Sequence, residues 1–218
     1  MTAPVLLVLG AGPGVGLSVG RLFAHDGYVV VLACRLLEEA EPLAEQLRTE
    51  GFDAHGVDVD LADPADVNRI VTEAGERHGR IDVLHFNPSI FRQSDPLRLT
   101  VAELIEDFTI GAAALLPAVQ AARPFFAAGA RVLVTGSAAA DKPWNQAASL
   151  GVQKAAVRNL VTSLDTTLAP EGFRAVAVQI NGVLAEEGAF TRGRVAEALH
   201  AAAVRPLDEW TPHVTYDG

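Results

Sequence analysis

The chain has 218 residues, half of them hydrophobic, with one cysteine and a formal net charge of −10. At roughly 100–200 residues per domain it is one ordinary domain, and a lone Cys34 excludes a disulfide framework and any cysteine-built metal cluster. The acidic balance excludes nonspecific binding to DNA or anionic membranes, which needs basic patches, and aromatics at 6% leave no base-stacking RNA surface.

No targeting segment is expected. No basic residue precedes Arg21, and the apolar run over residues 5–9 is too short for a secretory core. The most apolar long stretch, residues 111–130, carries Pro117, Gln120, Arg123 and Pro124, so it reads as a buried or interface helix rather than a membrane span. The expectation is a cytoplasmic protein without membrane or nucleic-acid partners.

Short β-branched runs alternate with longer helical patterns, which predicts a parallel sheet covered by helices on both faces. Residues 4–9 read as the first strand, apolar on both sides as a central strand should be. A glycine loop over residues 10–16 and a helix to His25 follow. Residues 28–33 are strand two, 36–49 a helix, and 53–57 strand three. Asp63-Pro64 opens the next helix, Asp as cap and Pro in the first turn. Strand four spans 81–86. Thr100 and Glu103 form a capping box that starts a helix running toward Ala128, bent at Pro117. Strand five is 131–135, the next helix 149–168, strand six 173–180, the last helix 191–204, and a short strand 213–216 closes the chain. The whole reads as one α/β domain over residues 1–218, a Rossmann-like doubly wound parallel sheet.

Gly10, Gly12, Gly14, Val15 and Gly16 lie between a buried strand and a helix. Such a loop lets the backbone turn tightly and approach a pyrophosphate, with the helix N-terminus supplying N–H groups and a positive dipole. The loop resembles the first motif of S-adenosylmethionine methyltransferases, and its Gly10, Gly14, Gly16 spacing resembles that of the short-chain dehydrogenase/reductase family. The end of strand two separates them. Methyltransferases and NAD-specific dehydrogenases place an acidic residue there to accept from ribose hydroxyls. Here Arg35 follows Cys34, which suits a 2′-phosphate and favours NADP(H) over NAD(H) or S-adenosylmethionine.

More of the chain falls into register with the short-chain dehydrogenases. Asp58-Val59 resembles the family's adenine-contacting pair after strand three. Residues 82–89 resemble its strand-four motif, of which Asn87 survives. Ser137 matches the catalytic Ser ending strand five, Lys154 the active-site Lys, and Gly182 the glycine of the turn after strand six. The resemblance implies strand order 3-2-1-4-5-6-7, with a helical lid over residues 184–205 that is short here. It also implies a homodimer or homotetramer through the helices 101–128 and 149–168, whose small residues permit close approach.

The catalytic pattern departs from the family. Its chemistry uses a Tyr four residues before the Lys and thirteen after the Ser. Both counts reach Leu150. An Asn belonging to the family's proton relay, thirteen before Pro124, is replaced by Gly111. Ser137 and Lys154 remain. His85, two residues before Asn87, is placed by strand alternation on the same side, and a His can donate a proton near neutral pH, although a packing role is the simpler reading. Asp141 reads as a loop cap, and His55 with Asp58 supplies too few ligands for a metal. The resulting expectation is an NADP(H)-dependent oxidoreductase of the short-chain type with a degenerate site, acting on a carbonyl, alcohol or enone. A non-catalytic dinucleotide-binding relative and a methyltransferase are the alternatives.

Overall fold

The computed structural model describes residues 2–218. Seven strands form one parallel sheet in the order β3-β2-β1-β4-β5-β6-β7, as the family resemblance implies: β1 Val5–Leu9, β2 Val29–Cys34, β3 Ala54–Asp58, β4 Ile81–Phe86, β5 Phe126–Ser137, β6 Arg174–Ile180 and β7 His213–Tyr216. The helices between them are α1 Val15–His25, α2 Leu37–Thr49, α3 Pro64–His78, α4 Val101–Phe108, α5 Leu115–Ala122, α6 Ala148–Leu168 and α7 Arg192–Ala203.

Strand alternation sorts β1 into two cores. Leu7 and Leu9 pack with residues of α3, α5 and α6, whereas Leu6 and Val8 pack with α1, α2 and α7. The chain adds β2 and β3 on one side of β1 and then crosses to β4 on the other. That reversal leaves a crevice outside the strand ends, where open α/β sheets bind ligands.

Three expectations change. The long helix is not continuous to Ala128. It breaks at a π-helical turn, Thr109–Ala113, which contains Gly111, and it ends at Ala122. Pro117 sits in the first turn of α5, where a missing N–H costs little. Strand five begins at Phe126, with its pairing to β4 shifted between Ile81 and Val83. Much of the segment 184–205 is a helix packed into a core. Val195, Ala196, Leu199, Ala202 and Ala203 of α7 are buried in the second core, and His200 Nε2 lies 2.6 Å from Asp26 Oδ2. Leu184 of the irregular segment between β6 and α7 lines the crevice, and so does Val195 of α7. Among the described residues no helix is long and apolar enough to cross a membrane.

Candidate active site

The crevice has two parts that meet at Asn87 and Ser89. The first, about 460 Å³, lies against the ends of β1, β2 and β3 and is lined by Gly10, Arg35, Val59 and Asp60 among others. The second, about 270 Å³, is lined by Val15, Ser137, Lys154 and Gly182.

Gly10 is required by geometry. Its φ is +73°, and a Cβ there would lie 2.8 Å from the backbone nitrogen of Pro88. Gly12 faces open space, and a Cβ on Gly14 would meet only Arg192 Cδ at 3.9 Å. No side chain caps α1 and its first turn holds no carboxylate, so its positive end stays open to an anion. Gly16 is buried, and its missing Cβ lets α1 approach Ala11 and Asn87.

Arg35 is exposed on the wall of the first cavity and pairs with no carboxylate among the described residues. Asp58 does not share that wall. It ends β3 opposite Cys34 and is exposed, whereas Asp60, two residues on, lines the cavity. Gly182 borders the second cavity, but its Cβ position is filled by the ring of Phe190, so the glycine serves packing.

The second cavity carries a connected polar network. Lys154 Nζ is buried and donates to the carbonyl oxygens of Pro88 (3.0 Å) and Thr135 (3.1 Å). Burial pushes its pKa down to about 8. Thr135 Oγ1 donates to Asn87 Oδ1 at 2.7 Å, and Asn87 Nδ2 donates to Gly10 O at 2.9 Å. Asn87 thus joins the glycine loop to β5. Ser137 Oγ accepts from Ala139 N at 3.2 Å at the end of β5.

His85 is not placed to protonate a substrate in either cavity. It is fully buried, its Nε2 lies 2.9 Å from Thr135 Oγ1, and burial with the nearby Lys154 charge pushes its pKa down to about 3. It shares Asn87's network but borders neither cavity. Asp141 likewise points away, toward Arg158 and Gln179. Leu150 stands half-buried in the first turn of α6.

Sequence reading missed a second set of contacts between α6 and the segment after β4. Ser149 Oγ donates to buried Asp107 at 2.7 Å, and Asp107 also accepts two bonds from Arg92 at 2.9 Å. Burial pushes the Asp107 carboxyl up, but Arg92 and Ser149 outweigh it and hold it below the usual range. Gln153 bonds both backbone groups of Ile90. Nothing in the local pattern marks these partners, which are far apart in the chain.

This strand order, glycine loop and buried Lys meet at one crevice. A family model for short chain dehydrogenase matches residues 4–191. The chain belongs to the short-chain dehydrogenase family. That membership removes the methyltransferase reading of the glycine loop. An uncharacterised oxidoreductase of Listeria monocytogenes is 29% identical over 170 residues, 77% of this chain and 68% of the relative. A putative ketoacyl reductase of the monensin polyketide synthase from Streptomyces virginiae is 41% identical over 83 residues, 38% of this chain and 32% of that one. Among solved structures, a short chain dehydrogenase from Burkholderia cenocepacia in complex with NADP matches with TM-score 0.88 at 24% identity, covering 99% of this chain and 96% of that one. A dehydrogenase/reductase from Sinorhizobium meliloti matches with TM-score 0.90 at 21% identity, covering 100% and 95%. Similarity this remote speaks for the fold.

Proposed function

We propose that this short-chain dehydrogenase relative binds NADP(H) and acts as an oxidoreductase of the atypical kind that keeps Ser137 and Lys154 without the Tyr. The observation that carries the cofactor reading is Arg35, an unpaired guanidinium on the cavity wall at the end of β2. A guanidinium binds phosphate through paired N–H groups. The crevice fits a dinucleotide. Its two cavities join at Asn87 and Ser89, and the open, uncapped start of α1 suits a pyrophosphate.

A bound nicotinamide supplies or accepts a hydride. The chain's own groups then bind and orient. Lys154 holds a ribose hydroxyl with the donor capacity left after Pro88 and Thr135, and Ser137 Oγ orients a substrate oxygen. Leu150 brings no proton, so protonation comes from water or the substrate. General acid–base groups contribute about 10²–10⁴-fold, which makes this a slow site for ordinary ketones. Leu150 equally supports a second reading, a dinucleotide binder without turnover.

Calorimetry with NADPH and NADH tests the cofactor assignment. Tighter binding of NADPH is expected, and no binding of either overturns it. A carbonyl and enone panel with NADPH oxidation as readout separates enzyme from binder.

The chain is further proposed to work in the cytoplasm as a homodimer or homotetramer. Val101, Ile105, Leu116 and Val152 are exposed on α4, α5 and α6. An apolar groove of about 600 Å³ runs between the starts of α4 and α6. Apolar surface on this scale marks an interaction face. Light scattering that finds a monomer at micromolar concentration overturns the proposal.

A further inference from the structure

Gly111 lies buried in the π-helical turn between α4 and α5. The space its side chain would take is already filled, because a Cβ on residue 111 would fall inside the contact radius of Gln153 Oε1. Gln153 comes from α6 and is fully buried. Its Oε1 accepts from Ile90 N and its Nε2 donates to Ile90 O, both at 3.1 Å. A carboxamide offers a donor and an acceptor side by side, so it can hold both polar groups of one backbone residue. Those groups would otherwise be left without partners at substantial cost.

Ile90 ends the segment that begins at Asn87, and all four of its residues line the crevice. The neighbouring Lys154 holds the same segment at Pro88 O. Two adjacent residues of α6 therefore fix one stretch of cavity wall from both ends. We infer that Gln153 is a positioning residue of this site: its carboxamide occupies the room left by the glycine at 111 and fixes the wall on which the Lys154 ammonium is seated. The pairing of 111 with 153 stands on geometry alone. Its consequence for the cofactor rests on the dinucleotide reading proposed above.

Four variants separate these points: Gly111→Asn, Gln153→Ala, the double variant Gly111→Asn/Gln153→Ala, and Gln153→Met. Thermal unfolding and NADPH affinity against pH are the readouts. Each of the first two alone is expected to lower Tm by roughly 5–10 °C, one by overpacking and the other by a cavity and two lost bonds. The double variant moves the carboxamide from one helix to the other and should recover at least half of the summed loss. Additive losses overturn the pairing. Gln153→Met keeps the volume and loses both bonds. A positioning role predicts a folded protein with NADPH affinity down about tenfold and a moved pH midpoint of binding. Wild-type affinity and midpoint in that variant overturn the positioning role and leave only a filler. If the wild type itself binds no NADPH, the dinucleotide reading and the positioning role resting on it fail, while the unfolding cycle still decides the pairing.

Discussion

His85 donates its Nε2 proton to Thr135 Oγ1 across 2.9 Å, because that hydroxyl gives its own proton to Asn87 Oδ1. The ring is therefore the neutral Nε2–H form, and its buried Nδ1 has no partner.

This histidine sets an acid limit. Its folded pKa is lowered from 6.5 to about 3, by burial first and by Lys154 second. The unfolded chain takes the proton as pH falls through 6.5, and the folded protein refuses it until about 3. Stability from this group is complete above 6.5 and is lost as pH falls across that window, by on the order of a few kcal/mol. His85→Leu should lose less stability than wild type between pH 7 and pH 5 in urea unfolding. Equal losses would place the acid sensitivity elsewhere.

Arg35→Ala should weaken NADPH by roughly 10–100-fold, the value of one charge-assisted phosphate contact, and change NADH by less than about threefold. Titration calorimetry with both nucleotides reads the difference. Matched losses would mean that Arg35 does not meet the 2′-phosphate.

Lys154 gives the site an upper pH edge. With its pKa lowered from 10.5 to about 8 by burial, the ammonium becomes an amine within reach of ordinary buffers. NADPH affinity should fall as pH rises through about 8, and Lys154→Met should bind weakly with a flat profile. Stability runs the other way. The unfolded chain keeps this proton to about 10.5, so the lysine's contribution to folding improves between about 8 and 10.5. An affinity profile for Lys154→Met that keeps the wild-type step would remove Lys154 from the binding site.

Leu150→Tyr should raise NADPH-dependent carbonyl reduction by about 10²–10⁴-fold, the usual worth of a general acid. Steady-state absorbance assays on both proteins measure it. Turnover in the Tyr variant alone would favour the binder reading of the natural protein. No turnover in either would count against a latent reductase site.

The sheet was legible because most strands carry a short apolar run, and α3 and α4 carry the start signals Asp63-Pro64 and Thr100 with Glu103. The glycine loop, Arg35, Asn87, Ser137 and Lys154 stood out by their resemblance to family motifs, and the fold brings them to one crevice. Asp58 and Asp60 alternate at the end of β3, both exposed, and it is Asp60 that lines the first cavity. The π-helical turn at 109–113 was not legible, since the packing of Gly111 against Gln153 of another helix leaves no local mark. Long-range side-chain partners such as Gln153 with Ile90, or Ser149 with Asp107, leave no periodic trace.

Ser149, Gln153 and Lys154 lock α6 at three separate stations, Asp107, Ile90 and Pro88. The helix works as a keyed shaft. A turn of about 100° per residue that would bring Ser149 into the place of Leu150 would break all three contacts together. On the reading proposed above, the Ser149 hydroxyl does not take the place of residue 150, and a proton comes from water, from the substrate or from a changed residue 150.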